Sequence, residues 1–489
     1  MLSISEIQNF IDEDMASNKK TLAKKGVSYY EGRHDIKDYR IFYFNNEGEL
    51  VEDDTRSNIK ISHPFFTELI DQCSQYMLSG HDRYVKSDNQ DLQALLDEYF
   101  DDDFKGELND LITFTKVEGD SFLYRYIDEN MKTRFKFADG LNVVEIQGKY
   151  TKDNKDYVIY YYANGKEKDK DVTAIQVWND TQVGYYTMID NVIEKDKSIK
   201  PNPTYHVIYH DKNKTLYDTF GDVPFLRLDN NRKRTSDLFV IKDLIDDYDL
   251  MSCGLSNNLQ DFAEGIYVVK NWQGDNLDEL TYNVKRKKQV SVGEGGDLDI
   301  KTINIPYQAR LTKMEVNEKN IYRFGMGLNT STVADGNVTN YNIRTRYSLL
   351  ELKCYKLEAQ LRKLMKKIIK IVVDEINKDN KTNYQYKDVY CDFEREVMTN
   401  ATENAQIELL EAQKKQVEIS TLLGINAQIG DDVLLERICE VLDLDYNDVK
   451  AKIKENAPID LNRMSEDILN TEVEDEESTQ GNREPIIGA

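Results

Sequence analysis

The five histidines, His34, His63, His81, His206 and His210, are the first residues to test for chemistry. His206 and His210 lie four apart, but in a run of strand character, Tyr205 to Tyr209, that spacing does not put both on one helical face. No cysteine or paired carboxylate stands beside them at metal-ligand spacing, so no metal is expected. The acidic runs Glu52-Asp53-Asp54 and Asp101-Asp102-Asp103 could in principle hold magnesium. Consecutive carboxylates point in different directions, however, whereas a nuclease needs convergence from separate elements. Solvated surface is the favoured reading, and a metal-dependent nuclease using Asp101 and Asp102 is the enzymatic alternative. There is no GxxxxGK[ST] phosphate cradle and no GxSxG. The clusters Gly325-Met326-Gly327 and Gly293-Glu294-Gly295-Gly296 lack the strand-to-helix setting of a nucleotide site and read as tight turns. No cofactor is expected.

Composition narrows the class. Across 489 residues, 89 acids against 64 bases give a formal charge of -25, which works against a sequence-independent duplex binder. It does not exclude a protein that surrounds DNA without adhering to it. The cysteines Cys73, Cys253, Cys354, Cys391 and Cys439 are scattered and odd in number, which suggests a reducing compartment and no disulfide framework. The first residues lack a basic start followed by an apolar run, and the late run Ile368 to Val373 is short and broken by Lys370. The expectation is a protein assembled in a cytosol with no membrane partner.

The elements that would position any site follow from periodicity. Residues 1–25 read as a short amphipathic helix with Ile4, Ile7, Phe10 and Ile11 on one side. His63-Pro64 leads into a helix from Phe65 with Gly80 as its cap. Further helices are expected at about Gln90 to Tyr99 and Lys105 to Glu118. From Ser121 to Leu228 the period is two, with hairpin signals at Asp128-Glu129-Asn130, Asp139-Gly140, Asn164-Gly165, Asn179-Asp180 and Asp211-Lys212-Asn213. The reading is a meandering antiparallel sheet. Past it, Leu238, Ile241, Ile245, Tyr248, Leu255, Leu259 and Phe262 make one helical stripe, which Gly265 ends. An excursion over 266–307 holds a strand Ile266 to Val269, a turn at Trp272, a polar helix Leu277 to Lys287, and strands Gln289 to Val292 and Leu298 to Ile305 split by the glycines. A helix runs from Gln308 to Phe324, and a long one from Tyr341 to Lys378. A strand within Tyr384 to Phe393 and helices at 401–423, 432–442 and 446–456 complete the chain. The tail from Met464 is acidic and expected to be disordered.

Charge within 235–378 is uneven. Between Ser236 and Glu264 stand seven acids, Asp243, Asp246 and Asp247 among them, and one lysine. Between Tyr341 and Lys378 stand ten bases, including Arg344 and Arg346, against four acids. Two solvated faces would explain this. So would neighbouring copies opposing unlike charges in a ring, where such pairs add register more than affinity. From Gly325 to Asn340 there is no lysine or arginine. The loop offers Asn329, Thr330, Ser331, Thr332, Asp335, Asn337, Thr339 and Asn340, which can touch a phosphate backbone only weakly.

Four stretches together carry a resemblance: YYEGRHDI (29–36), SNIKISHPFFTELIDQ (57–72), GDVPFLRLDNNRKRTSDLFVIKDLIDDYDLMSCGLSNN (221–258) and DGNVTNYNIRTRYSLLELKCYKLE (335–358). In their order and spacing they resemble the portal proteins of tailed double-stranded-DNA bacteriophages, of the siphophage type of Gram-positive hosts. The resemblance implies an α+β portal fold with an N-terminal helical segment 1–26, a β-rich wing 27–234, stem helices 235–264 and 308–325, and a small clip 265–307. It further implies a tunnel loop 326–340, a long bridging helix 341–379, a helical crown 380–457 and an acidic tail 458–489. The implied function is non-enzymatic: a homo-oligomeric ring, twelve-fold in the virion, at one capsid vertex, through which DNA is packaged and ejected. The implied partners are the terminase motor and head-completion proteins at the clip, and major capsid and scaffold proteins at wing and crown. Candidate clip contacts are Trp272, Asp275, Asn276, Lys285, Arg286, Lys287, Lys288 and Glu294. A different phage ring component, such as a connector or baseplate protein, is the neighbouring alternative.

Overall fold

The computed structural model describes residues 1–455 except 55, 81–82, 168, 212–213, 262–265, 273–275, 283, 285, 287–291, 302–305, 330–339, 396–400, 425–429 and 443. The chain divides into two compact units. The larger comprises Met1–Asp335 with Arg344–Val397; the smaller comprises Gly336–Ile343 with Met398–Ala489.

The larger unit opens with two helices where one was expected: α1 (Ile4–Met15) and α2 (Asn18–Tyr30). Ser3 and Glu6 close a capping box on α1, and Ser17 breaks the run by accepting from Lys20 N to cap α2. Ile7 and Ile11 are buried as expected, but Ile4 is exposed. A ribbon of β1 (Phe42–Phe44) and β2 (Leu50–Glu52) precedes α3 (Phe65–Met77). Leu78, not Gly80, caps α3; a Cβ on Gly80 would lie 2.0 Å from the Glu394 carbonyl, so the glycine is needed for close backbone approach. Then come β3 (Val85–Ser87), α4 (Gln90–Asp97) and α5 (Asp102–Glu118).

The β-rich region is antiparallel throughout its pairings, but it is several sheets and not one meander. β4 (Asp120–Ile127) sits between β5 (Thr133–Ala138) and β14 (Phe225–Asp229). A separate sheet runs β10-β9-β8-β7-β6, built from β6 (Val143–Ile146), β7 (Tyr157–Glu167), β8 (Lys170–Trp178), β9 (Gln182–Ile189) and β10 (Val192–Lys195). β11 (Thr204–Tyr205) joins β9, and β12 (Val207–Asp211) pairs with β13 (Lys214–Asp218). The turns at 128–130 and 179–180 fall where their side-chain chemistry put them, while residues 212 and 213 of the signal at 211–213 lie outside the described residues. The other two signals mean something else. Asn164-Gly165 is an irregularity inside the β7–β8 ladder, between Ala163 and Lys166, with Gly165 at φ +78°. Asp139-Gly140 starts a short 3-10 turn linking two different sheets, with Asp139 accepting from Leu141 N at 2.6 Å.

After the sheets, a 3-10 turn (Asp237–Val240) leads into α6 (Lys242–Asp261). The expected stripe is buried only in its first half: Leu238, Ile241 and Ile245 are enclosed, while Leu259 is exposed. Phe262 and Gly265 lie outside the described residues. β15 (Ile266–Trp272), α7 (Leu277–Tyr282) and β16 (Val292–Lys301) form the excursion, followed by α8 (Tyr307–Gly325). The glycines 293–296 do not divide one strand from another. They lie within β16, where the register against β15 slips between Lys270 and Trp272.

The long helix α9 (Asn340–Asn380) is the spine of the main core. Leu350, Cys354, Leu357, Leu361, Leu364, Met365, Ile368, Val372 and Ile376 are buried along it against α3, α4, α5 and the β4–β5 pair. This is the three-and-four spacing of a helix enclosed on one long side. The expected strand at 384–393 reduces to β17 (Val389–Cys391), paired with β3. A second core seats Ile7 and Ile11 of α1 on Ile159, Ile175 and Val177 of the sheet. In the smaller unit, α10 (Ala401–Gly424) packs with α11 (Asp431–Leu442), which meets α12 (Tyr446–Glu455). The tail from 458 lies outside the described residues.

Lys20 fixes the amino-terminal helices to the sheet region. Its buried ammonium donates to the carbonyls of Gly140, Leu141 and Val143, and pairs with Asp14 at 3.1 Å. Lys20→Met should therefore take this donor from the buried Gly140 and Val143 carbonyls, Leu141 keeping the Tyr161 hydroxyl at 2.8 Å, and lower the unfolding free energy by about 2–3 kcal/mol, read as a drop in the urea midpoint.

Candidate functional site

Three of the four resembling stretches converge on one buried carboxylate. Asp249 of α6 is fully buried, with His34 Nδ1 2.6 Å from one oxygen and His63 Nδ1 2.8 Å from the other. The His63 backbone N–H donates to the same carboxylate at 3.0 Å. His34 stacks on Tyr29, ring centres 4.4 Å apart, and the Tyr29 hydroxyl donates to Asp246. Residues 29–36 and 57–63 are thereby pinned to α6. No spacing in the sequence brings 34, 63 and 249 together; the polar residues sat in the resembling stretches, and that was the only signal.

α6 and α8 pack as a pair. Asp247 bridges them, taking Lys313 Nζ at 2.9 Å and Asn317 Nδ2 at 2.7 Å. Phe65 at the start of α3 lies edge-on to Tyr248 and Tyr322, and the Tyr322 hydroxyl donates to Glu68 at 2.6 Å. The glycines at the end of α8 are spacers more than turn formers. A Cβ on Gly325 or Gly327 would lie 2.6 or 2.1 Å from a methyl of Leu69, and the left-handed residue is Met326 at φ +57°. Beyond it the Gln72 amide bonds Leu328 both ways, accepting from its N–H and donating to its carbonyl, each at 2.9 Å. Asn329 donates to Glu318 at 3.1 Å. The chain thus reaches residue 329 in a fixed setting.

A charged cluster underlies that setting. Lys353 of α9, buried, donates to the Gly325 carbonyl at 3.1 Å and lies 3.3 Å from Asp237. Lys116 of α5 reaches the same Asp237 carboxylate at 3.2 Å. Burial works against the Asp237 carboxylate, but Lys116, Lys353 and the Asn230 amide outweigh it and hold its carboxyl well below the usual range. Burial likewise opposes the Asp249 carboxylate, and the bonds from His34 and His63 hold its carboxyl below the usual range.

Of the sequence-predicted site residues, Asn329 is anchored as described and Asn340 opens α9. Thr330, Ser331, Thr332, Asp335, Asn337 and Thr339 lie outside the described residues. In the excursion, Trp272 closes β15 opposite Val292, and the Glu294 carbonyl accepts from Asn271 at 3.1 Å. The Asn276 side chain accepts from Asp278 N ahead of α7, and Arg286 is exposed. Asp275, Lys285, Lys287 and Lys288 lie outside the described residues. Asp246 and Asp247 have partners within the chain, Asp246 with Lys242, whereas Asp243 and Arg344 are exposed and Arg346 is half-buried. The acidic runs are occupied locally: Glu52 pairs with Arg40, Asp53 with Arg56, and Asp101 caps α5 while pairing with Arg134 at 2.9 Å. Asp102 and Asp103 fall in the first turn of α5, where the helix dipole favours acids. Among the described residues no three His, Cys, Asp or Glu side chains group to hold a metal, and no helix is long and apolar enough to cross a membrane.

The profile of the phage portal protein family, SPP1 Gp6-like, matches residues 10–455. The chain belongs to that family. Its relatives include the portal protein of Bacillus phage SPP1, 28% identical over 73% of this chain and 69% of its own length. The portal protein of Clostridium phage phiCD119 is 28% identical over 83% of this chain and 89% of its own. A solved structure of the neck of a native GTA particle is 13% identical, covering 72% of this chain and 86% of that one, at a TM-score of 0.36. As a portal protein the chain is a structural, non-enzymatic phage component with the mixed helix-and-sheet portal fold. The buried joints of this portal are then supports for a scaffold, not catalytic groups.

Both Asp237 and Asp249 hold protons less tightly folded than unfolded. Their stabilisation is complete above the ordinary carboxylate pKa of about 4 and is lost as pH falls toward the lower folded values. Asp237→Asn should cost about 3–5 kcal/mol at neutral pH by leaving Lys116 and Lys353 without their shared anion. The variant should then lose less further stability than the parent between about pH 5 and about pH 2, measured by urea midpoints.

Proposed function

We propose that copies of this chain close into a ring, twelve-fold in the virion, at one capsid vertex, and that DNA passes along its axis during packaging and ejection. The observation that carries this reading is the joint at Leu328. There a helix pair, a long helix and a buried charge cluster hold the point from which a loop without lysine or arginine departs. Each phosphate contact by a cation would add about 0.9 to the log-log salt slope of binding, so a ring of loop cations would grip the duplex. A loop of Asn329, Thr330, Ser331, Thr332, Asp335, Asn337, Thr339 and Asn340 contacts moving DNA sterically and lets it slide.

The remaining elements take the roles that the family resemblance implies. The β15–β16 hairpin with Trp272, Asp275, Asn276, Lys285, Arg286, Lys287, Lys288 and Glu294 is the clip. It receives the terminase motor and later a head-completion protein. The sheet region and the carboxy-terminal helices meet capsid and scaffold proteins during assembly in the host cytoplasm. Between neighbouring copies, Asp243 faces Arg344 and Arg346, since Asp246 and Asp247 are held within their own chain.

Negative-stain imaging and native mass measurement of the purified protein should give closed rings with an axial channel; monomers at all concentrations would sink the reading. Deleting 329–339 should leave rings but shorten or abolish packaged DNA, measured by nuclease protection. Arg344→Glu should lower ring yield, and adding Asp243→Lys should partially restore it; no rescue would show that the two do not face each other.

A further inference from the structure

Cys73 of α3 and Cys354 of α9 are fully buried with their sulfurs 3.5 Å apart. Cys253, by contrast, bonds to the Ile61 backbone. Among the described residues, the charges around the pair do not balance without it. Lys116 and Lys353 share the single carboxylate of Asp237. The next acids along α9, Glu351 and Glu358, are taken up by Arg395 and Arg362. One buried ammonium is therefore in excess, and unpaired buried charge is costly. A thiolate on Cys73 would cancel it, with the Cys354 thiol donating to that sulfur. The bond from Cys354, helped by Lys116 and Lys353, draws the Cys73 thiol down to about 6, and the same bond pushes the Cys354 thiol up. The two sulfurs stand close enough for one thiol to hydrogen-bond the other.

We propose that Cys73 and Cys354 are a redox-active dithiol that closes to a disulfide when the protein meets a small peroxide. The Cys73 thiolate attacks one oxygen of hydrogen peroxide and the O–O bond breaks, leaving a sulfenic acid. The hydroxide released takes up the proton Cys73 had given to solvent. The Cys354 sulfur then attacks the sulfenic sulfur, the S–O bond breaks, and hydroxide leaves as water with the Cys354 proton. Two thiols and one peroxide become one disulfide and two waters, with two electrons passing from sulfur to oxygen. The new bond ties α3 to α9 at the residue next to Lys353, whose ammonium holds the Gly325 carbonyl. It is a covalent latch at the base from which the loop departs.

The test treats full-length protein with hydrogen peroxide, quenches with catalase, and denatures in N-ethylmaleimide. The digest is then mapped by mass. The expected product is one linked peptide pair, Cys73 with Cys354, reversed by dithiothreitol, while Cys253, Cys391 and Cys439 remain alkylated. Lys353→Met should slow link formation by about tenfold through a smaller thiolate fraction, and Cys253→Ser should leave it unchanged. The proposal fails if all five cysteines oxidise at one rate, or if Cys73 goes to sulfonic acid without the link. Because this readout needs only the folded chain, it is independent of ring formation and of DNA.

Discussion

An ammonium buried away from water must find oxygen, and at Lys353 this requirement holds four elements together. Its donors reach Gly325 at the end of α8 and Asp237 ahead of α6, from a stem rooted in α9. Asp237 in turn draws in Lys116 of α5. Apolar packing alone, such as Leu361 or Ile368 against α3 and α5, would tolerate a helix sliding by a fraction of a turn, because methyl contacts are not directional. A charge that needs particular carbonyls does not tolerate it. The long helix, the helix pair and the departure of the loop are therefore in one register.

The same logic recurs at Asp249. Two histidines and a backbone N–H from residues 34 and 63 meet a carboxylate on α6, and none of the three can move without leaving another unsatisfied. Tyr322 with Glu68 and Gln72 with Leu328 add two more directional contacts on the α3 side. A structural scaffold benefits from joints that resist shear. Polar pairs enclosed by aromatic rings supply that resistance where an all-apolar seam would creep.

How legible this was depended on whether a signal was local. The limits of α9 followed to within a few residues from the absence of proline and glycine and a steady three-and-four stripe. The hairpins at 128–130 and 179–180 followed from Asp and Asn side chains that bond their own backbone. Signals that need a partner misled. Asn164-Gly165 has the dipeptide of a hairpin turn but forms a bulge, because the β7–β8 ladder continues past it to Glu167 and Lys170. Gly80 looked like a cap and is a close-approach glycine against Glu394. The 293–296 glycines looked like a turn and are a slip in one strand. The candidate site divides the same way. The loop's lack of cations could be read directly, whereas His34, His63, Asp249, Lys116 and Lys353 look ordinary until tertiary structure brings them together.

Charge placement then separates two tasks that composition alone mixes. A net charge of -25 repels DNA from the protein as a whole, yet α6 and α9 carry opposite local excesses. Were those excesses cancelled within one chain, they would add nothing to assembly. The structure shows how far cancellation goes: Asp246, Asp247 and Asp249 are each satisfied internally, whereas Asp243 and Arg344 face solvent. What faces solvent on these two helices is of opposite sign, Asp243 on α6 against Arg344, Lys363, Lys366, Lys367 and Lys370 on α9. Such a remainder suits selection of a neighbouring copy, where a few rim pairs set register at little cost in affinity. It leaves the proposed path of DNA without a cation to hold it.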